Sequence, residues 1–123
     1  MAFGESIVVG SERYKDLHLE VDFKRGSVAL DSRKMVLTRK EYELLVLMVQ
    51  HAGEIIPRDA LLWHVWGYSN QIRTRTLDVH IRRLRRKLGD YADQYIETIF
   101  GIGYRFQPFR ARAFAGFSAS AVA

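Results

Sequence analysis

The chain has 123 residues, of which 48% are hydrophobic and 12% aromatic, enough to bury the core of one domain without covalent cross-links. It contains no cysteine, which excludes disulfides and thiolate metal sites. There is no apolar run of about 18 residues and no signal-peptide pattern at the N-terminus. We therefore expect a cytoplasmic protein with no membrane segment.

The formal net charge of +5 is concentrated in one part of the chain. Residues 73–87 carry seven Lys and Arg side chains and one Asp, a net charge of +6, whereas the rest of the chain has a net charge of −1. A field this localised suggests that one face of the protein attracts a polyanion.

The first third of the chain is predicted to form a small antiparallel sheet. Residues 1–12 are mixed in character and are typical of a linker or leader, with a possible short strand at 6–9. Apolar and polar residues alternate over 17–23, and short apolar segments follow the turn-forming pairs at 25–26 and 31–32. The ordered domain is therefore expected to start near Arg13 with strands joined by tight turns.

Two helices are predicted next. Thr38 and Glu41 have the spacing of a capping box, and the apolar residues that follow continue to a stop at Gly53. Pro57 begins a second helix over 58–66, which ends at Gly67. In this helix Trp63 is expected to lie in the core, while the pattern leaves Trp66 open between helix packing and an outward contact.

The C-terminal half is predicted as a basic helix followed by a hairpin. After a loop at 67–72, the basic segment 73–88 forms the third helix, and residues 90–94 are predicted as a loop. Residues 95–106 form two strands joined by a tight turn at 101–103. The order is sheet, three helices and hairpin, with residues 108–123 as a disordered extension.

A helical wheel separates the third helix into an apolar stripe and a basic face. The stripe consists of Leu77, Ile81, Leu84 and Leu88. Val79 lies on the opposite side, among Arg75, Arg82, Arg83 and Arg86. Valine is a poor helix former with nothing to bury against on a solvated face, whereas in a DNA major groove it can contact thymine methyl groups. A merely solvated face is the alternative, but such faces usually alternate in the sign of their charges.

Other kinds of site have little support in the sequence. The Gly101-Ile102-Gly103 segment sits in a hairpin and opens no helix, which is the wrong context for a dinucleotide fingerprint. The four histidines show no metal-ligand spacing with a carboxylate. No nucleophile, base and orienting group can be named together, so we expect no enzyme, no cofactor and no metal.

Four motifs together carry a family resemblance: "LTRKEYELL", "ALLWHVWG", "RTLDVHIRRLRRKL" and "IFGIGYRF". Over residues 13–107 the chain resembles the OmpR/PhoB-type winged-helix effector domains of bacterial two-component response regulators. The resemblance implies an α+β winged helix-turn-helix fold: an N-terminal antiparallel four-stranded sheet, three helices with the third as recognition helix, and a C-terminal β-hairpin wing. It implies sequence-specific binding of double-stranded DNA for transcription regulation.

The resemblance also assigns roles to individual residues. Base contacts fall to Val79 and Arg83, with Arg86 or Arg85 reaching further along the groove. Phosphate contacts fall to Trp66, Arg75, Thr76, His80, Arg82, Thr98 and Tyr104. For His80, a histidine that merely faces solvent is the alternative. The wing turn contains Phe100, Gly101 and Gly103. The loop Gly67, Tyr68, Ser69, Asn70, Gln71 and Ile72 matches a segment through which relatives touch RNA polymerase.

The resemblance further implies direct repeats in promoter DNA, bound by head-to-tail dimers in the nucleoid. The chain departs from the pattern in two places. Phe100 stands where many relatives have an arginine that enters the minor groove, so it either packs against sugars or inserts as a wedge. No segment has the length or the acidic cluster of a receiver domain, so we expect an excised effector domain, with a stand-alone regulator as the alternative. The alternatives are a winged helix that binds a protein partner and a non-specific architectural DNA-binding module.

Overall fold

The computed structural model of the protein describes residues 8–10, 12–67 and 75–110. The chain begins with an antiparallel sheet whose strands follow one another in chain order. These strands are β1 (Val8–Val9), β2 (Arg13–Lys15), β3 (Leu19–Asp22), β4 (Ser27–Leu30) and β5 (Arg33–Lys34). The four strands from Arg13 onward confirm the predicted sheet. Part of the predicted linker adds a fifth strand, because Val8 and Val9 pair with Lys15 and Tyr14.

Local turn chemistry accounts for this sheet. Asp31 and Ser32 both have positive φ angles, 51° and 67°, as the two-residue turn between β4 and β5 requires. The alternation predicted from Leu17 begins later, since Leu17 is exposed and β3 starts at Leu19. Leu19, Val21 and Val28 face inward and form the sheet's share of the core.

The first helix, α1 (Arg39–Gln50), has the predicted N-terminus. The Thr38 side chain accepts a hydrogen bond from the Glu41 N–H, and the Glu41 carboxylate accepts one from the Thr38 N–H, which completes the capping box. Its inner face buries Leu44, Leu45, Met48 and Val49. The helix packs against the two long helices that follow it and against the last strand of the second sheet.

The second helix, α2 (Arg58–Trp66), has the predicted bounds but corrects one expectation. Gly67 ends it in the left-handed conformation, with φ of 73°. Leu61, Leu62 and Val65 are buried, whereas Trp63 is 58% exposed and not in the core. The helix is apolar around nearly its whole circumference, so its sequence alone does not distinguish the inner from the outer face.

The third helix, α3 (Arg75–Leu88), is followed by one turn of 3-10 helix, Gly89–Tyr91, and by the short helix α4 (Ala92–Tyr95). The segment 90–94 is therefore helical, and the prediction of a loop there was wrong. None of the helices in the described part of the chain is long and apolar enough to cross a membrane.

A second sheet carries the predicted hairpin and one strand that was not predicted. The hairpin strands are β7 (Ile96–Ile99) and β8 (Gly103–Phe106), and β6 (Ile55–Pro57) pairs with β8 on its other side. The sheet order is β6-β8-β7, all antiparallel. The segment between α1 and α2 is therefore a strand that joins the hairpin to the helices.

Buried Asp16 connects the first sheet to the C-terminal end of the domain. Its carboxylate accepts hydrogen bonds from the hydroxyls of Tyr14 and Tyr95 and from the backbone N–H of Phe109 at 3.0 Å. Burial, together with these bonds to Asp16, raises the pKa of both phenols far above the ordinary value. The Phe109 ring also packs against the core, so the packed domain continues past its predicted end at residue 107. Residues 111–123 of the predicted extension lie outside the described residues.

Candidate nucleic-acid interface

One side of α3 is apolar and buried, and the other is basic and exposed. Leu77, Ile81, Leu84 and Leu88 are all buried, as the helical wheel predicted. The exposed side carries Arg75, Arg82, Arg83 and Arg86. Within the described part of the chain, none of these four arginines forms an ion pair. Their charge is thus available to an external anion.

Val79 lies on the basic side of α3 and outside the buried stripe. Its side chain is half-buried, which fits a residue shielded by its long arginine neighbours rather than one packed in the core. An apolar spot of this kind offers a methyl-sized contact between positive charges.

The only acidic residue of α3, Asp78, is turned away from the basic side. Its carboxylate accepts a hydrogen bond from the Arg58 guanidinium at 2.5 Å and another from the Tyr104 hydroxyl at 2.9 Å. Burial acts to lower the pKa of Arg58, but its bonds to Asp78 and Tyr104 raise that pKa above the ordinary value. The acid therefore links α3 to the start of α2 and to β8, and its charge is neutralised there.

Arg85 points towards the hairpin and not towards the basic side. Its guanidinium donates hydrogen bonds to the Ile96 carbonyl at 2.9 Å and to the Thr98 hydroxyl at 2.7 Å. It also lies 5.7 Å from the centre of the Tyr104 ring. This geometry does not support the base contact that the resemblance suggested for Arg85. Arg85 follows Ile81 by four residues and lies beside the buried stripe, a spacing that already favours an inward contact.

The C-terminal end of α3 is joined to α1 by an ion pair. The Lys87 ammonium lies 2.6 Å from the carboxylate of Glu41, which is almost completely buried. Burial acts to raise the pKa of Glu41, but the hydrogen bonds from Lys87 and from the Thr38 backbone outweigh it and hold that pKa below the ordinary value. One carboxylate therefore both caps α1 and positions α3.

Trp66 and His80 form the edge of the basic side nearest α2. The Trp66 ring packs against the core and meets the His80 ring edge-on, with 4.9 Å between ring centres. The Nδ1 atom of His80 lies 2.8 Å from the Thr76 carbonyl oxygen. Because a carbonyl can only accept a hydrogen bond, Nδ1 carries the hydrogen, and Nε2 is the ring nitrogen left for an outside partner.

The hairpin presents its turn to solvent and keeps its strands tied to the body. Thr98 is half-buried and bonded to Arg85, and Tyr104 is buried with its hydroxyl bonded to Asp78. Both predicted wing contacts are thus inside the network between α3 and the hairpin. The turn itself is tight: the Ile102 N–H donates to the Ile99 carbonyl at 2.9 Å, and Gly101 has a φ of 78°.

Gly103 is required for a different reason from Gly101. A Cβ atom at Gly103 would lie 2.0 Å from the Ile56 carbonyl oxygen and 2.9 Å from its carbon. Only a residue without a side chain lets β8 approach β6 this closely. At Gly101 a Cβ atom would meet nothing within 4 Å, so that glycine serves the positive φ of the turn.

Some contacts of this site leave no local signal in the sequence, and some of its predicted segments lie outside the described residues. The pairs Arg58–Asp78 and Glu41–Lys87 join residues 20 and 46 positions apart, a separation that no local pattern indicates. Of the predicted polymerase-contact loop, only Gly67 is described, and residues 68–72 lie outside the described residues. Arg73 and Thr74, the predicted first turn of the basic helix, lie outside them too.

Comparison with known proteins identifies the family. Residues 32–106 match the sequence family described as "Transcriptional regulatory protein, C terminal". The transcriptional regulatory protein HprR of Escherichia coli (strain K12) is 45% identical over 89 residues, which are 72% of this chain and 40% of HprR. Response regulator ArlR of Staphylococcus aureus is 38% identical over 87 residues, 70% of this chain and 40% of ArlR. The chain spans about 40% of the length of these curated relatives.

Solved structures agree with the sequence match. The DNA-binding domain of RstA from Klebsiella pneumoniae, in complex with the RstA box, superposes with a TM-score of 0.73 and 33% identity, covering 80% of this chain and 99% of the RstA domain. DrrB, an OmpR/PhoB homologue from Thermotoga maritima, gives a TM-score of 0.71 and 31% identity over 78% of this chain and 44% of DrrB. The chain therefore belongs to the OmpR/PhoB-type family of transcriptional regulatory C-terminal domains.

Proposed function

We propose that the chain reads its DNA site by placing the exposed side of α3 in the major groove, with the β7–β8 hairpin as a wing over the flanking backbone and minor groove. The observation that carries this proposal is the basic side of α3, where Val79 lies among four exposed arginines that have no ion-pair partner in the described part of the chain. A major groove about 12 Å wide accepts one α-helix, and its base edges offer acceptors to arginine and thymine methyl groups to valine. The similar DNA-binding domain of RstA has been solved in complex with the RstA box, which supports DNA binding by this chain.

The roles within the site follow from where each side chain points. Val79, Arg83 and Arg86 are proposed as base readers, because they lie on the outer side of α3 and have no competing partner among the described residues. Arg75, Thr76, Arg82 and His80 are proposed to grip phosphates at the groove edges, with Trp66 beside them. Phosphate contacts position the domain, and base contacts specify the sequence.

We propose an indirect role for Arg85, Thr98 and Tyr104. Their polar groups are engaged with one another or with Asp78, and they hold the wing at a fixed place beside α3. A phosphate contact by Thr98 would add to its bond with Arg85, since a hydroxyl can accept and donate at once. Fixing two DNA-facing elements relative to each other before binding reduces the ordering cost of forming the complex.

His80 can grip a phosphate in one protonation state. Its Nδ1 hydrogen is used by the Thr76 carbonyl, and a phosphate oxygen can only accept. A phosphate contact therefore uses Nε2 and requires the protonated ring.

The assembly on DNA is also proposed from the family. Two chains would bind direct repeats head to tail, and the segment that includes residues 67–72 would face RNA polymerase. The chain would act as the effector part of a two-component response regulator, in keeping with the larger size of the relatives that it matches.

Duplex binding at several salt concentrations tests the function. Duplexes selected from a random pool by the purified chain should bind roughly 10³-fold tighter than scrambled duplexes, and log affinity should fall linearly with log salt at about −0.9 per phosphate neutralised. Selected sites should contain two half-sites in the same orientation, about 10–10.5 base pairs apart. The salt slope without a sequence preference would indicate architectural binding. If both effects were absent, the partner would be a protein. Inverted half-sites alone would contradict the head-to-tail arrangement.

A further inference from the structure

The tip of the wing is apolar and open to solvent. Phe100 is 90% exposed and Ile102 is 50% exposed, and residues 98–104 include no charged side chain. Turns of this kind usually carry Gly, Asn, Asp or Ser, which are well solvated. A phenyl ring here gains nothing within the domain, whereas burial of such a ring against a partner is favourable.

The wing also brings little free positive charge. Its nearest charged residues, Glu97 and Arg105, face each other across the two strands with 2.8 Å between guanidinium and carboxylate. The Arg105 guanidinium beside Glu97 lowers the pKa of that carboxyl, so the pair stays ionised and neutral overall at pH 7. A contact made by the wing tip must therefore rest on apolar surface rather than on attraction to phosphates.

The wing that carries this tip is fixed beside α3. Arg85 ties the first strand of the wing to α3 through two hydrogen bonds, and Gly103 holds the second strand against β6. The turn between them spans only Phe100 to Ile102. When α3 lies in a major groove, an element fixed beside it meets the adjoining backbone and minor groove, since the two grooves alternate along the duplex.

We propose that Phe100 is a specificity-determining residue that docks its ring in the minor groove beside the α3 site, against the deoxyribose walls. The inference rests on the proposed placement of α3. In the minor groove a G·C pair presents the guanine N2 amino group, whereas an A·T pair presents only acceptors. A phenyl ring cannot accept the hydrogen bonds of that amino group and would strip its water, which leaves an unpaired donor. Phe100 thus selects against guanine in the flank without a hydrogen bond of its own.

Inosine isolates this effect. An inosine·cytosine pair lacks the N2 amino group but has the same major-groove edge as guanine·cytosine. With the flank of a selected duplex carrying one or the other, the chain should bind the inosine version roughly threefold to tenfold tighter. Phe100→Ala should abolish this preference and weaken binding to the inosine duplex by a similar factor. The salt slope should not change, because no phosphate contact is lost.

Two further variants sharpen the test. Phe100→Arg should steepen the salt slope by about 0.9, because it adds one phosphate contact. Val36→Ala is the matched control: Val36 is 74% exposed and lies between β5 and α1 in the chain, on neither α3 nor the wing, and its removal should leave both affinity and preference unchanged. A Phe100→Ala variant that keeps the inosine preference would overturn the proposal.

Two other results would have a different meaning from loss of the inosine preference. A brighter 2-aminopurine signal in the flank, lost in Phe100→Ala, would mean that the ring enters the base stack, which also overturns docking on the sugars. A parent chain that does not distinguish its selected duplex from a scrambled one would instead refute the proposed function. The inosine comparison uses a duplex already shown to bind, so the two failures remain distinguishable.

Discussion

The two elements proposed to face DNA, α3 and the wing, are built on opposite principles. The outer side of α3 carries exposed arginines with no ion-pair partner among the described residues, whereas the wing pairs its charges and ends in an exposed phenylalanine. Charge acts over about a Debye length and attracts any duplex, while an apolar contact acts only when the surfaces meet. The salt dependence of binding should therefore come from the side of α3, and the wing should contribute shape selection.

Both elements depend on buried contacts that hold them side by side. The inner stripe of α3 is apolar, but its polar links to Glu41, Arg58 and the hairpin fix its orientation. The wing is fixed by backbone pairing with β6 and by the close approach at Gly103. A substitution that breaks either support should displace α3 or the wing. It should thereby abolish the difference in how the two elements bind, although no proposed DNA-contacting residue is changed.

The largest effect is expected from Gly103→Ala. The new Cβ would collide with the Ile56 carbonyl oxygen, which is backbone and cannot swing aside, so β8 must leave β6. We expect a loss of roughly 3 kcal/mol or more in the free energy of unfolding. Gly101→Ala is the control: it meets open space and pays only for its positive φ, about 1 kcal/mol. Urea unfolding of both variants decides the matter, and equal losses would show that the strands can separate at little cost.

The second largest loss of stability is expected when the ion pair at the C-terminal end of α3 is removed. Lys87→Met leaves the buried Glu41 carboxylate without its cation, at a cost of about 2–4 kcal/mol near neutral pH. Because the pKa of Glu41 is lowered in the folded state, the stabilisation from its ionised form is present above its unfolded pKa and is lost as the pH falls through the folded value. The deficit of the variant should therefore shrink in acid.

Unfolding curves at pH 7 and at about pH 3 measure this difference. The matched control is Lys34→Met, which removes the same charge from an exposed position in β5 and should change stability by less than about 0.5 kcal/mol. A deficit for Lys87→Met that is as large in acid as at neutral pH would show that packing of the lysine stem, and not the ion pair, is what matters.

The sequence could predict what is decided locally. The capping box at Thr38 and Glu41, the glycine stop at Gly67 and the inner stripe of α3 each depend on residues within a few positions, and the structure confirms them. The hairpin and its turn follow for the same reason. Four motifs in the right order then identified the family, which the match over residues 32–106 confirms.

The features that the sequence could not predict depend on contacts between distant segments. The strand Ile55–Pro57 is too short to show a period and exists because β8, about 50 residues later, pairs with it. Trp63 lies on a helix that is apolar almost all round, so only the packing of its neighbours decides that it faces outward. The spacing of Arg85 from Ile81 favours an inward contact, but the partners that it meets there belong to a hairpin that no helical wheel contains.

Two adjacent arginines of α3 are expected to have different roles, one in contact with a base and the other with a phosphate. Arg83→Ala should cost roughly 1–3 kcal/mol on the selected duplex and relax the preference at one base pair. Arg82→Ala should weaken all duplexes alike and lower the salt slope by about 0.9. Both side chains are exposed and unpaired among the described residues, so neither change should disturb folding. Affinities across single-base variants at several salt concentrations would separate the roles, and the reverse pattern would mean that the two assignments must be exchanged.

The smallest and most specific effect is expected at Val79, the one apolar residue on the basic side of α3. Val79→Ala should leave the free energy of unfolding within about 0.5 kcal/mol, because the side chain is only half-buried and alanine is the better helix former. If Val79 contacts a thymine methyl, replacing that thymine with uracil should weaken the parent chain and matter much less to the variant. The salt slope should be equal for both, since no charge is altered. A thermal melt tests the expected stability, and the binding series with thymine and uracil duplexes tests the expected contact. A large loss of stability with an unchanged response to uracil would show that Val79 supports the core and does not read the base.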